Sequence, residues 1–164
     1  VKQKDHLTAL RAINILKNKL NLKLLIIGDG DQKKKLINYI NNNNLNNIVK
    51  IKDRIENPFP YILKAKIMLL TSRFEGLPNV LLEALALKKF IISSDCPTGP
   101  SEILDNGKGG LLFKVGNHLQ LSKKIMFYKK NYPLFQKKSF AIRRSTRFDF
   151  KKNLNMYFEL FKKL

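Results

Sequence analysis

Two glutamates eight residues apart, Glu75 and Glu83, bracket a segment suited to holding an anion. Gly76, Leu77, Pro78, Asn79 and Val80 follow the first. Gly76 lets a backbone approach a ligand closely. Pro78 suits a helix start, where its missing N–H costs nothing. The first N–H groups of a helix beginning near Asn79 have no intrahelical partner, and the helix dipole favours negative charge there. Glu83 falls one turn in, among apolar neighbours, and is expected to be buried. A buried carboxylate needs hydrogen-bond donors or a cation. Ligand hydroxyls would serve, and so would a side chain such as Lys4. Glu75, at a strand tip, is expected to be exposed, and a solvated turn acid is its alternative reading. Carboxylates at both ends with phosphate-ready amides between them suit a ligand with terminal hydroxyls and central phosphates, such as a nucleotide sugar.

The elements that must position these residues alternate in type. Short apolar runs at 23–27, 48–51, 67–71, 90–93 and 110–113 read as buried strands. Helical patterns lie between them at about 5–18, 31–43, 58–65, 79–88 and 100–105. Strands alternating with helices predict an α/β, Rossmann-like parallel sheet with helices on both faces. After residue 116 the strands stop. Asn117 caps a helix to about residue 130, Pro133 starts a second, and 148–164 forms a third with Leu154, Phe158 and Phe161 on one face beside Tyr157. The expected organisation is therefore an α/β unit over 1–116 and a helical tail over 117–164. In open α/β sheets ligands bind outside the carboxyl ends of the strands. That rule selects 28–31, 52–57, 72–79, 94–100 and 114–117. In the first of these, Gly28-Asp29-Gly30 follows a strand and reads either as a phosphate-binding turn or as a tight turn only.

A chain of 164 residues suits one domain. Its net charge of +20 is uneven, with thirteen Lys or Arg against Asp149 and Glu159 over 117–164. Compositional drift, with Lys, Asn and Ile all over-used, is one reading of it. The paired basic residues from 123 to 163 read as a solvated face, or as attraction to an anionic lipid surface; an anionic substrate or nucleic acid also fits the charge. Cys96 is the single cysteine, so no internal disulfide forms and cytosol is the default compartment. Cys96 reads as a packed or loop thiol, and His6 and His118 as solvated or capping residues. Glu102 falls in the first turn of a helix, where an acid suits the dipole, with a sugar contact as its alternative. No apolar run reaches the ~18 residues of a membrane span. The first residue is Val1, and the chain is expected to be a piece of a longer protein.

The run Glu75-Gly76-Leu77-Pro78-Asn79-Val80-Leu81-Leu82-Glu83 resembles the E-x7-E motif of the retaining, metal-independent glycosyltransferases of family 4, also called group 1, which have the two-domain GT-B fold. Val1-Lys2-Gln3-Lys4-Asp5-His6 is similar to the end of that family's R-L-x-x-x-K segment, with Lys4 at the lysine. Gly28-Asp29-Gly30 resembles its G-x-G turn, 57–61 the segment before a short helix beside the base, and 93–104 a version found in members that transfer hexoses or N-acetylhexosamines to lipid-linked or surface glycans. The resemblance covers about 1–116 in order.

It implies the carboxy-terminal, sugar-donor-binding half of a GT-B enzyme, with its first strand and amino-terminal domain outside the chain. Glu75 would contact the donor sugar and Lys4 would neutralise the departing diphosphate as catalytic residues. Glu83 would bind the ribose, and Gly76, Leu77, Pro78, Asn79 and Val80 would hold sugar and phosphate. Asp53, Arg54 and Ile55 would meet the base, although the family often carries a glycine where Asp53 falls. The arginine expected a few residues before Lys4 would lie upstream of Val1. No metal or other cofactor is implied, in keeping with the lack of an Asp-x-Asp motif. The implied partners are a nucleotide sugar, in the first place a uridine diphosphate sugar, a glycan or lipid-linked acceptor, the other domain and an anionic membrane met peripherally at the inner face of the cytoplasmic membrane. Nucleic acid is not among them. The alternatives are a basic nucleic-acid-binding α/β module and a degenerate, non-catalytic domain.

Overall fold

The computed structural model describes residues 2–132 and residue 135. Five strands, β1 (Leu24–Ile27), β2 (Val49–Lys52), β3 (Ile67–Leu70), β4 (Phe90–Ser94) and β5 (Leu111–Phe113), alternate with helices. The helices are α1 (His6–Leu16), α2 (Lys33–Asn42), α3 (Phe59–Lys64), α4 (Asn79–Ala86), α5 (Pro100–Ile103) and α6 (His118–Lys130). Every strand predicted from an apolar run is present, and the expected α/β class holds. The tail helices expected from Pro133 and over 148–164 lie outside the described residues.

All strand pairs are parallel. They make two sheets rather than the single one expected, β1-β2 and β3-β4-β5. Between the carboxyl ends of β1 and β3 lies the segment at residues 3–6. It hydrogen-bonds to the end of β3 on one side and lines a cavity with Ile27 and Gly28 on the other. Local apolar runs announce strands but not which strand neighbours which, so the break between β1 and β3 could not be read from them.

Side chains alternate across a strand, and this sorts the core into two layers. Ile92 joins Leu10, Ile13, Ile26, Leu36, Phe113 and Leu121 under α1, α2 and α6. Its neighbour Ile91 joins Ile62, Leu81, Leu85, Ile103 and Leu104 under α3, α4 and α5. Helices therefore cover both faces, and Ile26 and Ile92 tie the two sheets to one core. Asn117 caps α6, accepting from the Gln120 N–H at 2.8 Å, as expected.

Candidate active site

The site is built where the chain returns after seventy residues to meet its own beginning. Gln3 O accepts from the Arg73 N–H at 2.8 Å, and Gln3 Nε2 donates to Phe74 O at 2.9 Å. Thr71 Oγ1 donates to Lys4 O at 2.8 Å. Asp5 pairs with Arg73 at 3.1 Å and accepts from Thr8 Oγ1 at 3.0 Å. These bonds zip residues 3–5 along the turn that leaves β3. They bring Lys4 Nζ to 2.7 Å from Glu75 Oε1. The same oxygen accepts from Ser72 Oγ at 2.5 Å.

Exposure departs at both glutamates from what the sequence led us to expect. The Glu75 side chain is only 7% exposed, not a solvated turn acid. Glu83 is half-buried rather than buried, and its carboxylate has no hydrogen-bond or ion-pair partner among the described residues. The reason lies in the helical period. Asn79, Glu83 and Ala86 share one stripe of α4, and Asn79 and Ala86 are exposed, whereas Leu81, Ala84 and Leu85 face the core. Lys4, weighed as a partner for Glu83, pairs with Glu75 instead.

The loop between the glutamates is shaped from the next strand end. Thr98 Oγ1 donates to Glu75 O. Gly99, at φ +85°, packs so closely that an added Cβ would lie 2.4 Å from Pro78 Cδ and 2.5 Å from Gly76 O. Above Gly76 itself there is open space, with nothing within 4 Å of a built Cβ. Gly76, Leu77 and Asn79 are exposed, Val80 is half-buried and Pro78 is buried. No side chain caps the start of α4. The arrangement thus presents an enclosed carboxylate paired to a lysine, an unobstructed glycine and the amino end of a helix.

On the other side, residues 53–55 are tied to the Gly28-Asp29-Gly30 turn. Asp53 pairs with Lys33, which holds the Asp53 carboxyl below its ordinary range, while hydrogen bonding to Asp53 raises Lys33. Asp29 accepts from the Arg54 N–H at 3.2 Å. Asp53 and Arg54 are exposed and Ile55 half-buried. A cavity of about 200 Å³ is lined by Lys4, His6, Gly28, Asp29, Gly30 and Lys33, among others. His6, at the start of α1, is half-buried and lines this cavity; burial lowers its pKa, and Lys4 lowers it further. A larger hollow of about 450 Å³, lined by Thr98, Gly99, Ser101, Glu102, Asp105 and Asn106, contains none of the residues selected as catalytic or substrate-binding.

Sequence reasoning missed Ser72 and Thr98. The Ser72-x-x-Glu75 spacing, familiar from helix starts, was a usable signal for the first. The second lay within the selected strand-end segment 94–100, where no signal singled it out. Cys96 is buried, as expected, and burial pushes its thiol up. Glu102 lies in the first turn of α5. Among the described residues, no three His, Cys, Asp or Glu side chains gather as a metal-binding group, and no helix is long and apolar enough to cross a membrane.

The profile of the family described as glycosyl transferases group 1 matches residues 1–147. An uncharacterized glycosyltransferase of Methanocaldococcus jannaschii is 46% identical over 84 residues, which is 51% of this chain and 21% of that protein. The N-acetylgalactosamine-N,N'-diacetylbacillosaminyl-diphospho-undecaprenol 4-alpha-N-acetylgalactosaminyltransferase of Campylobacter jejuni is 35% identical over 116 residues, covering 71% of this chain and 31% of that one. The chain thus spans between about a fifth and a third of these curated relatives. Among solved structures, S. aureus TarM superposes with a TM-score of 0.78 at 27% identity over 96% of this chain and 33% of that one. Anabaena HepE in complex with UDP gives 0.86 at 20% identity over 100% and 46%, a likeness of fold.

Proposed function

The chain belongs to the group 1 glycosyl transferases, and from that premise we propose that it is the sugar-donor-binding part of a retaining enzyme that uses a uridine diphosphate sugar. The observation that carries this reading is the Lys4–Glu75 pair, 2.7 Å apart beside open Gly76 and the uncapped start of α4. When the bond from the anomeric carbon to the diphosphate breaks, negative charge develops on the leaving oxygen. A cation at the site and helix-terminal amides stabilise that charge without a divalent metal. Lys4 and the N–H groups at the start of α4 fill those roles. Glu75 holds a hydroxyl of the transferred sugar, and Glu83, which has no partner among the described residues, takes the ribose hydroxyls. Residues 53–55 meet the base. The sugar passes to an acceptor hydroxyl, whose proton leaves with the nucleotide.

The uridine preference is supported by HepE, whose structure holds UDP. The acceptor class is supported by the undecaprenol-linked substrate in the name of the Campylobacter relative. We therefore place the hexose or N-acetylhexosamine on a lipid-linked or surface glycan. The acceptor is met on another domain, at the cytoplasmic side of a membrane. On α6, Leu119, Met126 and Phe127 are exposed among Lys123, Lys129 and Lys130. Such a face suits peripheral contact with anionic lipid. Nucleic acid is not a partner in this reading.

The test is sugar transfer by the full-length protein to lipid-linked glycan, with UDP, GDP and ADP sugars and with chelator. Transfer from a UDP sugar, with the anomeric configuration kept and no loss in chelator, is expected. Inversion, or activity lost in chelator and restored by a divalent ion, would overturn the mechanism. Preference for another base would overturn the assignment of the donor.

A further inference from the structure

We infer that Ser72 is a positioning residue that pins one oxygen of Glu75 and leaves the other to the sugar. The inference rests on the reading that Glu75 contacts the sugar. Ser72 is fully buried, at 0% exposure. Its hydroxyl donates to Glu75 Oε1 at 2.5 Å, and Lys4 Nζ meets the same oxygen at 2.7 Å. Both protein contacts of the carboxylate fall on Oε1. Oε2 has no hydrogen-bond or ion-pair partner among the described residues, nor is it a buried unsatisfied atom. A carboxylate has two oxygens and about four acceptor sites. Loading one oxygen with a fixed hydroxyl and an ammonium orients the other toward the open side.

The support reaches down to β4. Ser94, also at 0% exposure, donates from Oγ to Ser72 O at 2.7 Å. That bond spans the ends of β3 and β4 and fixes the turn from which Ser72 projects. Two buried hydroxyls thus donate in series, from Ser94 to the Ser72 backbone and from Ser72 to the carboxylate. An apolar core position would carry neither, since a buried hydroxyl is retained only where it finds an acceptor. Lys4, at 40% side-chain exposure, is free to move toward a diphosphate. Ser72 is not, so it keeps Glu75 in place when Lys4 leaves.

The experiment is a double-mutant cycle in the full-length protein with Ser72→Ala, Glu75→Ala and the pair. Turnover at saturating UDP sugar and the affinities for UDP and UDP sugar are measured. Ser72→Ala is expected to lower turnover about tenfold, as loss of a hydrogen bond to a charged group does, with UDP affinity within about twofold. In the Glu75→Ala background it should cost nothing more, because the group it positions is gone. Ser72→Cys, which keeps the shape with a weak donor, should fall between serine and alanine and carries the same cycle if the alanine variant does not fold. Wild-type turnover in Ser72→Ala, or equal losses with and without Glu75, would overturn the inference while leaving the glutamate's role intact. Wild-type turnover in Glu75→Ala would overturn that role itself, and this inference with it.

Discussion

Lys4 Nζ stands 2.7 Å from Glu75 Oε1, although seventy-one residues separate the two along the chain. The pair is held by hydrogen bonds to the backbone on both sides: Thr71 Oγ1 to Lys4 O, and the Arg73 N–H to Gln3 O. Lys4 is therefore delivered to the site by the fold and not by its own side-chain preference. If it neutralises the leaving diphosphate, Lys4→Ala should lower turnover by about 10²–10³-fold, the loss typical of one group that stabilises developing charge. The melting temperature should fall as well, because the enclosed Glu75 carboxylate, 7% exposed, then keeps only the Ser72 hydroxyl. UDP release at saturating donor measures it. A variant within threefold of wild type would remove Lys4 from the chemistry.

Glu83 gives the opposite combination. It has no protein partner among the described residues, so folding does not depend on it. Glu83→Ala should leave the melting temperature unchanged and weaken UDP binding by ~10–100-fold, equivalent to about 1.4–2.8 kcal/mol. Calorimetric titration with UDP checks this. Unchanged affinity would mean that the ribose lies elsewhere.

The two glycines of the loop should separate stability from binding. At Gly99 an added Cβ would meet Pro78 and Gly76 O at 2.4 and 2.5 Å, at a φ of +85°. Gly99→Ala should destabilise by about 1–3 kcal/mol. At Gly76 the same methyl meets no protein atom within 4 Å. Gly76→Ala should fold with near wild-type stability yet lose affinity for the UDP sugar. Urea unfolding paired with donor titration distinguishes them, and a Gly76→Ala variant that binds normally would contradict the placement of the sugar.

His6 carries a pH dependence. Burial first, and Lys4 also, hold its pKa below the ordinary imidazole value of 6.5. Above that value the ring is neutral in both folded and unfolded chains. As pH falls through it, the unfolded chain takes the proton first, so stability declines until the folded ring also titrates. His6→Gln should remove that part of the decline. Urea midpoints at pH 7.5 and 5.5 should therefore draw closer together in the variant; an equal separation in both proteins would contradict the assignment.

How much of this could be read in the residues varies with the range of the forces involved. The strands were legible because strands of a covered parallel sheet read as short apolar runs, as 67–70 does. The start of α4 was legible from Pro78, and the α6 cap from Asn117. The enclosure of Glu75 was not, because it is imposed by Lys4, Ser72 and Thr98, two of which are distant in sequence. Glu83 was misjudged for a local reason. A helix that looks apolar all round still leaves one stripe open, and Asn79 and Ala86 mark that stripe at helical spacing. The loop at 53–55 was legible as a strand end but not in its shape. The Lys33–Asp53 pair and the Asp29–Arg54 bond that shape it cross between two turns.

The central claim is that a nucleotide sugar binds between Glu75 and Glu83. The most direct measurement is an amide NMR titration of the protein with UDP, GDP, ADP and a UDP sugar. We expect the resonances of Gly76 to Glu83 and of Lys4 to shift for UDP in preference to the other nucleotides, with a further change near Glu75 when the sugar is attached. Shifts confined to other regions, or none in the full-length protein at millimolar ligand, would contradict the account.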